Sequence, residues 1–130
     1  MTTPHRVLLV DDNEADNVYH EIMLRKAGFE GDVIAFESGI DALKFLESDP
    51  LDQPTCVFLD INMPMMNGFE VAQAAEPLIA GKPTIILVML TSSGSPHDRE
   101  RAAQLPVIRG YLTKPLTIEE ARNLIKNAPF

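Results

Sequence analysis

The sequence is poor in the features that mark secreted, cysteine-rich and membrane proteins. Its single cysteine, Cys56, excludes an internal disulfide and a cysteine-based zinc site. The longest apolar run, residues 85–90, has six residues. A helix that spans a bilayer needs roughly 20. The N-terminus also lacks a basic stretch followed by an apolar segment, which is the pattern of a secretory signal. We therefore expect a cytoplasmic protein.

Basic residues are also scarce. The 130 residues include 11 Lys and Arg against 19 Asp and Glu, which gives a net charge of −8. Such acidity argues against direct binding to nucleic acid or to an anionic membrane. The charge is uneven, because residues 1–80 hold 15 acids and 4 bases whereas residues 81–130 hold 4 acids and 7 bases. The length is that of one domain, and the 45% hydrophobic content is enough for a core.

Five short apolar runs alternate with five longer amphipathic segments. Nearly continuous apolar runs favour strands that are buried on both faces of a parallel sheet. Alternation of strands and helices predicts right-handed crossovers and an α/β fold with helices on both sides. The predicted strands are 7–10, 33–36, 56–59, 84–90 and 107–112.

The segments between the strands carry helix signals. In the first, apolar residues recur with helical spacing and Gly28 follows as a stop signal. The third carries an apolar face, and Pro77 is expected to end or kink it, because proline lacks an amide hydrogen and clashes one turn back. The predicted helices are 15–26, 38–50, 68–76, 95–104 and 117–127, and the spaced positions of the first are Ala15, Val18, Tyr19, Ile22, Met23 and Lys26.

Polar residues follow four of the predicted strands. Asp11 and Asp12 follow the first strand, Asp60 the third, Thr91 the fourth and Lys114 the fifth. The carboxyl ends of parallel strands meet at one edge, where α/β proteins bind ligands. Three crowded carboxylates repel one another and require a cation, for which Mg²⁺ is the best candidate. With a lysine and a threonine hydroxyl nearby, the set suits phosphoryl transfer to Asp60.

Each of these signals also has an ordinary structural explanation. An Asp-Asp pair after a strand is commonly a turn or a helix cap, and a strand-end threonine is commonly a β-branched strand residue. The joint occurrence at four strand ends is what favours a site. A calcium-binding loop is rejected, because its sixth position is Asp16 instead of glycine and its twelfth is Ile22 instead of glutamate. The three histidines lack the spacing of metal ligands.

Four segments together resemble the receiver domain of two-component response regulators. The resemblance covers essentially the whole chain, and the combination is far more specific than any one segment. It implies a flavodoxin-like, doubly wound α/β fold with five helices and a five-stranded parallel sheet in the order 2-1-3-4-5. The segments are VLLVDD at 7–12, VFLDINMPMMNG at 57–68, LT at 90–91 and YLTKPL at 111–116.

The resemblance also implies specific roles for the strand-end residues. Asp60 would accept a phosphoryl group from a phosphohistidine on a sensor histidine kinase or phosphotransfer protein. Lys114 would pair with that group, and the peptide bond to Pro115 is expected to be cis. Mg²⁺ would be held by four groups, namely the carboxylates of Asp11, Asp12 and Asp60 and the backbone carbonyl of Asn62.

A conformational switch is implied in the same way. Thr91 would turn to hydrogen-bond the phosphoryl group, which would let Tyr111 rotate inward. Asn62 and Ser93 would flank the site and tune the lifetime of the phosphoryl group. Both are small and polar, so we expect slow autodephosphorylation. The chain would thus be a signalling receiver and not an enzyme.

We expect residues 1–130 to form a single receiver domain without an output domain. Such a domain would act by docking to a protein partner of unknown identity. In the family the output surface usually lies on the fourth helix, fifth strand and fifth helix, within residues 81–130. A solvated surface is the simpler explanation of the basic residues there, and an acidic partner is the sharper hypothesis. They include Arg99, Arg101, Arg109, Arg122 and Lys126.

Two other functions fit parts of the pattern. A phosphorylation-independent adaptor would keep the fold alone, but it would have no need of the complete acidic pocket. A haloacid-dehalogenase-like phosphohydrolase also uses an aspartate nucleophile, Mg²⁺, a hydroxyl residue and a lysine. It needs a second aspartate two residues after the nucleophile as general acid, and Asn62 stands there.

Overall fold

Ten elements alternate along the chain in the computed structural model, which describes residues 3–128 and residue 130. The strands are β1 Arg6–Val10, β2 Asp32–Phe36, β3 Thr55–Leu59, β4 Ile85–Thr91 and β5 Ile108–Thr113. The helices are α1 Glu14–Lys26, α2 Gly39–Ser48, α3 Gly68–Ile79, α4 Pro96–Ala103 and α5 Ile118–Asn127. None of the helices in these residues is both long enough and apolar enough to span a bilayer.

The five strands form one parallel sheet in the order β2-β1-β3-β4-β5. Every residue of β1, β3 and β4 is buried, as the continuous apolar runs predict. One core lies between the sheet and helices α2, α3 and α4, and the other lies between the sheet and helices α1 and α5. The predicted doubly wound, flavodoxin-like α/β fold is confirmed.

Side chains at the N-terminal ends of the helices fix where each helix begins. Each of these side chains accepts a hydrogen bond from a backbone amide of the first turn, which would otherwise lack a partner. Thr117 and Glu120 form the predicted capping box at the start of α5. The capping residues are Asn13, Ser38, Asn67, Ser95 and Thr117.

The sequence predicts that the third helix ends or kinks at Pro77, near Glu76. The predicted end is wrong, because α3 continues to Ile79. Pro77 lies in the last turn of α3, so only one hydrogen bond within the helix is lost. The Ala80 amide donates to the Glu76 carbonyl at 2.8 Å, which closes the final turn. Ile79 is only 6% exposed, and its burial favours continuing the helix past the proline.

The apolar face predicted for α1 is wrong in most of its positions, although Met23 is buried as predicted. Val18, Tyr19 and Ile22 are 54%, 44% and 45% exposed, and Ala15 is exposed as well. The face of α1 that meets the sheet instead includes two polar residues. The buried residues of α1 are Asn17, His20, Met23 and Leu24. Apolar periodicity does not identify the buried face of α1, because part of that face covers the polar end of β1 and therefore carries polar residues.

Candidate functional site

The register of the sheet brings the predicted carboxylates together. Val10 lies opposite Leu59, so Asp11 and Asp60 leave adjacent strands at the same level. The Asp60 amide donates to the Val10 carbonyl at 3.0 Å and continues the ladder by one residue. Carboxylate oxygens of Asp11, Asp12 and Asp60 all lie within 4.8 Å of one another. We call these three residues the acidic pocket.

Two of the three carboxylates of the acidic pocket are buried. Asp11 and Asp60 are 4% and 6% exposed, whereas Asp12 is exposed. Burial raises the pKa of Asp11, and the negative charge of Asp60 adds to this effect. Hydrogen bonds from Lys114 and from the Asn13 amide oppose the rise without cancelling it. The ionised pocket is therefore costly to fold on its own.

Lys114 is the positive charge at this pocket. Its Nζ lies 2.5 Å from Asp11 Oδ2, 2.8 Å from Asp16 Oδ2 and 3.2 Å from Asp60 Oδ2. Its backbone amide donates to the Thr91 carbonyl at 2.8 Å, and its peptide bond to Pro115 is cis. Burial alone would lower the pKa of Lys114, but hydrogen bonds to Asp11 and Asp16 and the charge of Asp60 raise it above its ordinary value.

Asp16 is a site residue that the sequence analysis missed. It stands in the first turn of α1, where an acidic residue is ordinarily explained by the helix dipole. In the sequence, Asp16 is notable only as the sixth position of the rejected calcium-binding loop. No motif marks it, because its contact with Lys114 joins residues that are 98 positions apart.

The donor set of the acidic pocket fits a hard divalent cation. Three carboxylates converge within the reach of one ion, and their number exceeds the single lysine charge beside them. Asp60 Oδ1 accepts a hydrogen bond from the Ile61 amide at 2.8 Å, which fixes the orientation of that carboxylate. Asn62 follows at once and is exposed at the same edge of the sheet.

The other predicted site residues lie on one side of the pocket. Thr91 is fully buried at the end of β4, and its Oγ1 accepts a hydrogen bond from the Ser93 amide at 3.3 Å. The Ser93 hydroxyl donates to Asp98 Oδ2 at 2.6 Å, so it is engaged with α4. The half-buried Tyr111 donates through its hydroxyl to the Ser93 carbonyl at 2.9 Å. Thr91 and Tyr111 therefore meet at the Ser93 backbone.

The basic residues of the last 50 positions are not all free to meet a partner. The Arg99 guanidinium stacks over the Tyr111 ring, 4.6 Å from its centroid, and donates to Thr113 Oγ1 at 3.0 Å. The Arg101 guanidinium lies 4.3 Å from the centroid of the Phe69 ring. Lys114 contacts the acidic pocket, and the other basic residues of this stretch are exposed, namely Lys82, Arg109, Arg122 and Lys126.

A small cavity with both polar and apolar walls adjoins Asp11 and Asp60 of the acidic pocket. It is lined in part by Asn17, His20, Asp11 and Asp60 and has a volume of about 10 Å³. Asn17 Nδ2 donates to the Asp11 carbonyl at 3.0 Å and ties α1 to the end of β1. Burial lowers the pKa of His20, and the charge of Lys114 lowers it further. The negative charges of Asp16 and Asp60 oppose this fall in pKa without cancelling it.

Crowding in the acidic pocket predicts that Asp60→Asn stabilises the metal-free protein. The substitution removes a negative charge beside Asp11, while Lys114 keeps its other two carboxylate partners. We expect the melting temperature in EDTA to rise by about 2–6 °C. Differential scanning calorimetry would measure it, with Asp32→Asn, an exposed carboxylate at the start of β2, as the control. A melting temperature that is unchanged, or that rises equally in the control, would contradict the crowding argument.

A parallel sheet with an acidic pocket and a lysine at its carboxyl edge is the arrangement of a receiver-like signalling domain. Residues 7–126 match the response regulator receiver domain. The chain therefore belongs to the family of receiver domains of two-component response regulators. The general function of that family is to take a phosphoryl group from a kinase, and its members are signalling domains and not conventional enzymes.

Two relatives illustrate the range of proteins that contain such a domain. The chain is 33% identical over 129 residues to the probable methanogenesis regulatory protein FilR2 of Methanothrix harundinacea, covering 95% of this chain and 80% of FilR2. It is 27% identical over 121 residues to the autoinducer 1 sensor kinase/phosphatase LuxN of Vibrio campbellii. That match covers 93% of this chain and only 13% of LuxN.

Solved structures support the same conclusion. A response regulator receiver protein from Dyadobacter fermentans is 35% identical and superposes with a TM-score of 0.83, covering 93% of this chain and 94% of that chain. The Mn²⁺-bound form of response regulator Rcp1 has a TM-score of 0.76 at 24% identity, covering 97% of this chain and 95% of that chain. An identity this low shows the shared fold alone.

Proposed function

We propose that Asp60 is the phosphoacceptor of a Mg²⁺-dependent response regulator. The observation that carries the proposal is the placement of Asp60. Its carboxylate is nearly buried at the carboxyl edge of the sheet, within 4.8 Å of carboxylate oxygens of Asp11 and Asp12 and 3.2 Å from Lys114 Nζ. A structural carboxylate has no need of two further carboxylates and a lysine at this distance.

The phosphodonor would be a phosphohistidine on a sensor histidine kinase or a phosphotransfer protein. An Asp60 carboxylate oxygen forms a bond to phosphorus while the bond from phosphorus to the imidazole nitrogen breaks. The electron pair of that bond stays on the imidazole. Lys114 donates hydrogen bonds to the phosphoryl oxygens and offsets their negative charge.

The acidic pocket would hold the cation with the Asp11, Asp12 and Asp60 carboxylates and the Asn62 backbone carbonyl. When bound, Mg²⁺ would neutralise charge on the pocket and on the phosphoryl oxygens. The three carboxylates and their excess of negative charge over Lys114 support this ligand set. We propose Mg²⁺ because it accepts few protein ligands and keeps room for a phosphoryl oxygen.

The signal would reach a docking surface within residues 81–130. A phosphoryl group on Asp60 would draw the Thr91 hydroxyl away from the Ser93 amide. Tyr111 is bonded to the Ser93 carbonyl, so a shift of this loop would change the position of the tyrosine. Asn62 and Ser93 would tune the slow autodephosphorylation. An unidentified output partner would read the surface of α4, β5 and α5.

Acetyl phosphate tests the proposal without the natural kinase. The protein is incubated with acetyl phosphate and Mg²⁺, and its intact mass is measured. We expect the wild type to gain the mass of one phosphoryl group, about 80 Da, and Asp60→Asn to gain none, because the amide cannot act as the nucleophile. An equal adduct on Asp60→Asn would show that a residue other than Asp60 accepts the phosphoryl group. No adduct on the wild type, together with no release of phosphate beyond that from acetyl phosphate alone, would favour the phosphorylation-independent adaptor.

The phosphohydrolase is the weaker alternative. A hydrolase of that type would need a general acid two residues after Asp60, and the Asn62 amide cannot give up a proton. Asn62 is exposed to solvent. The same incubation separates the two functions, because a hydrolase would release phosphate over many turnovers without a lasting adduct.

A further inference from the structure

Asp16 and Lys114 form a contact that the receiver pattern does not account for. The Asp16 carboxylate lies 2.8 Å from Lys114 Nζ, and its side chain is 39% exposed whereas that of Lys114 is 13% exposed. Asp11 and Asp60 also contact the same ammonium group, and both belong to the acidic pocket. Asp16 is thus a lysine partner that lies outside the acidic pocket.

A divalent cation and Lys114 compete for the same carboxylates. Both need lone pairs of Asp11 and Asp60, and a cation held between them repels the ammonium group. A lysine with no other partner would resist that displacement and weaken cation binding. Asp16 offers an alternative acceptor at the rim of the pocket, and it is anchored because it stands in the first turn of α1, which Asn13 caps.

We propose that Asp16 is a positioning residue that holds Lys114 at the rim when a divalent cation enters the acidic pocket. The inference rests on the proposed function of that pocket. An ammonium group has three N–H donors. Lys114 can therefore keep its hydrogen bond to Asp16 while it also donates to a phosphoryl oxygen. Asp16 would therefore favour both cation binding and the placement of the lysine charge.

A double-mutant cycle on Mg²⁺ binding tests the role of Asp16. Asp16→Asn and Lys114→Met are made singly and together, and the Mg²⁺ midpoint is read from NMR shifts of the amides of residues 11–13 and 60–62. We expect Asp16→Asn to weaken Mg²⁺ binding about three- to tenfold when Lys114 is present and less than about twofold in the Lys114→Met background. The smaller effect expected in the Lys114→Met background would come from the loss of one negative charge near the cation.

Glu14→Gln is the matched control. Glu14 is an exposed acid in the same first turn of α1, and within residues 3–128 it makes no ion pair with Lys114. Its substitution removes one charge without removing a lysine partner, so its effect should be equal in both backgrounds. Equal effects of Asp16→Asn in the two backgrounds, or an effect no larger than that of Glu14→Gln, would overturn the proposal.

The rate of labelling gives a second, independent result. At saturating Mg²⁺, Asp16→Asn should react with acetyl phosphate about three- to tenfold more slowly than Glu14→Gln, and Asp16→Glu should recover part of the rate. A rate equal to that of the control would overturn the positioning role. The proposal that Asp60 is the phosphoacceptor would be contradicted by a different result, namely the absence of any adduct on the wild type.

Discussion

Gly68→Ala is expected to destabilise the protein by about 2–4 kcal/mol and to abolish phosphorylation from acetyl phosphate. A Cβ atom at Gly68 would lie 2.2 Å from the backbone oxygen of Asp60 and 2.9 Å from the Cα of Ile61. Both atoms belong to the backbone, so no flexible side chain can turn away to make room. The first turn of α3 or the loop that carries Asp60 must move.

Movement of that loop would reach the site directly. The Gly68 amide donates to the Ile61 carbonyl at 2.8 Å, and the Ile61 amide donates to Asp60 Oδ1 at 2.8 Å. These two bonds connect the start of α3 to the orientation of the phosphoacceptor. A change of a few tenths of an ångström would misplace the carboxylate relative to Lys114, and catalysis is sensitive to such shifts.

Urea unfolding and intact mass would measure both effects of Gly68→Ala. The control is Gly94→Ala, because a Cβ atom at Gly94 meets nothing within 4 Å in the described part of the chain. We expect the control to change the free energy of unfolding by less than about 1 kcal/mol and to leave the labelling intact. If Gly68→Ala were as stable as the wild type and were labelled equally well, the close approach of Gly68 to the Asp60 and Ile61 backbone would not be needed.

The convergence of the strand-end residues was predictable from sequence because it depends on simple rules. Apolar runs of about five residues predict buried parallel strands, and the carboxyl ends of such strands share one edge. Asp11, Asp60, Thr91 and Lys114 all follow from these rules, since each directly ends or follows a strand. The register Val10 to Leu59 then places Asp11 beside Asp60 without any further information.

The contacts that sequence analysis missed depend on tertiary packing. Asp16 meets Lys114 because the first turn of α1 lies next to the loop after β5, and no local pattern encodes that approach. The buried Asn17 and His20 break the apolar periodicity of α1, so the exposed face carrying Val18 looked like the core face. Pro77 was judged by local propensity, which burial of the last turn of α3 overrides.

Asp49→Asn is expected to lower the free energy of unfolding by about 2–4 kcal/mol at pH 7. Arg6 begins β1 and is only 4% exposed. Its guanidinium donates to both carboxylate oxygens of Asp49, at 3.0 and 2.8 Å, and through Nε to Thr55 Oγ1 at 2.9 Å. Removal of the carboxylate charge leaves a nearly buried cation with an incomplete set of acceptors, which is costly.

The pH dependence distinguishes this ion pair from simple packing. The hydrogen bonds from Arg6 hold the pKa of Asp49 below its ordinary value, so the carboxylate stabilises the folded state wherever it is ionised. That contribution is complete above the pKa of the unfolded chain and is lost as the pH falls through the lower pKa of the folded state. The stability gap between wild type and Asp49→Asn should therefore be constant from about pH 7 to pH 5 and narrow only below about pH 4.

Urea unfolding at several pH values measures the gap, with Asp52→Asn as the control. Asp52 is an exposed acid three positions further along the same loop, and within residues 3–128 it has no ion pair. Its substitution should change stability by less than about 0.5 kcal/mol at every pH. A gap for Asp49→Asn that is equally small at pH 7, or that does not narrow in acid, would mean that the Arg6 charge is satisfied without the Asp49 carboxylate.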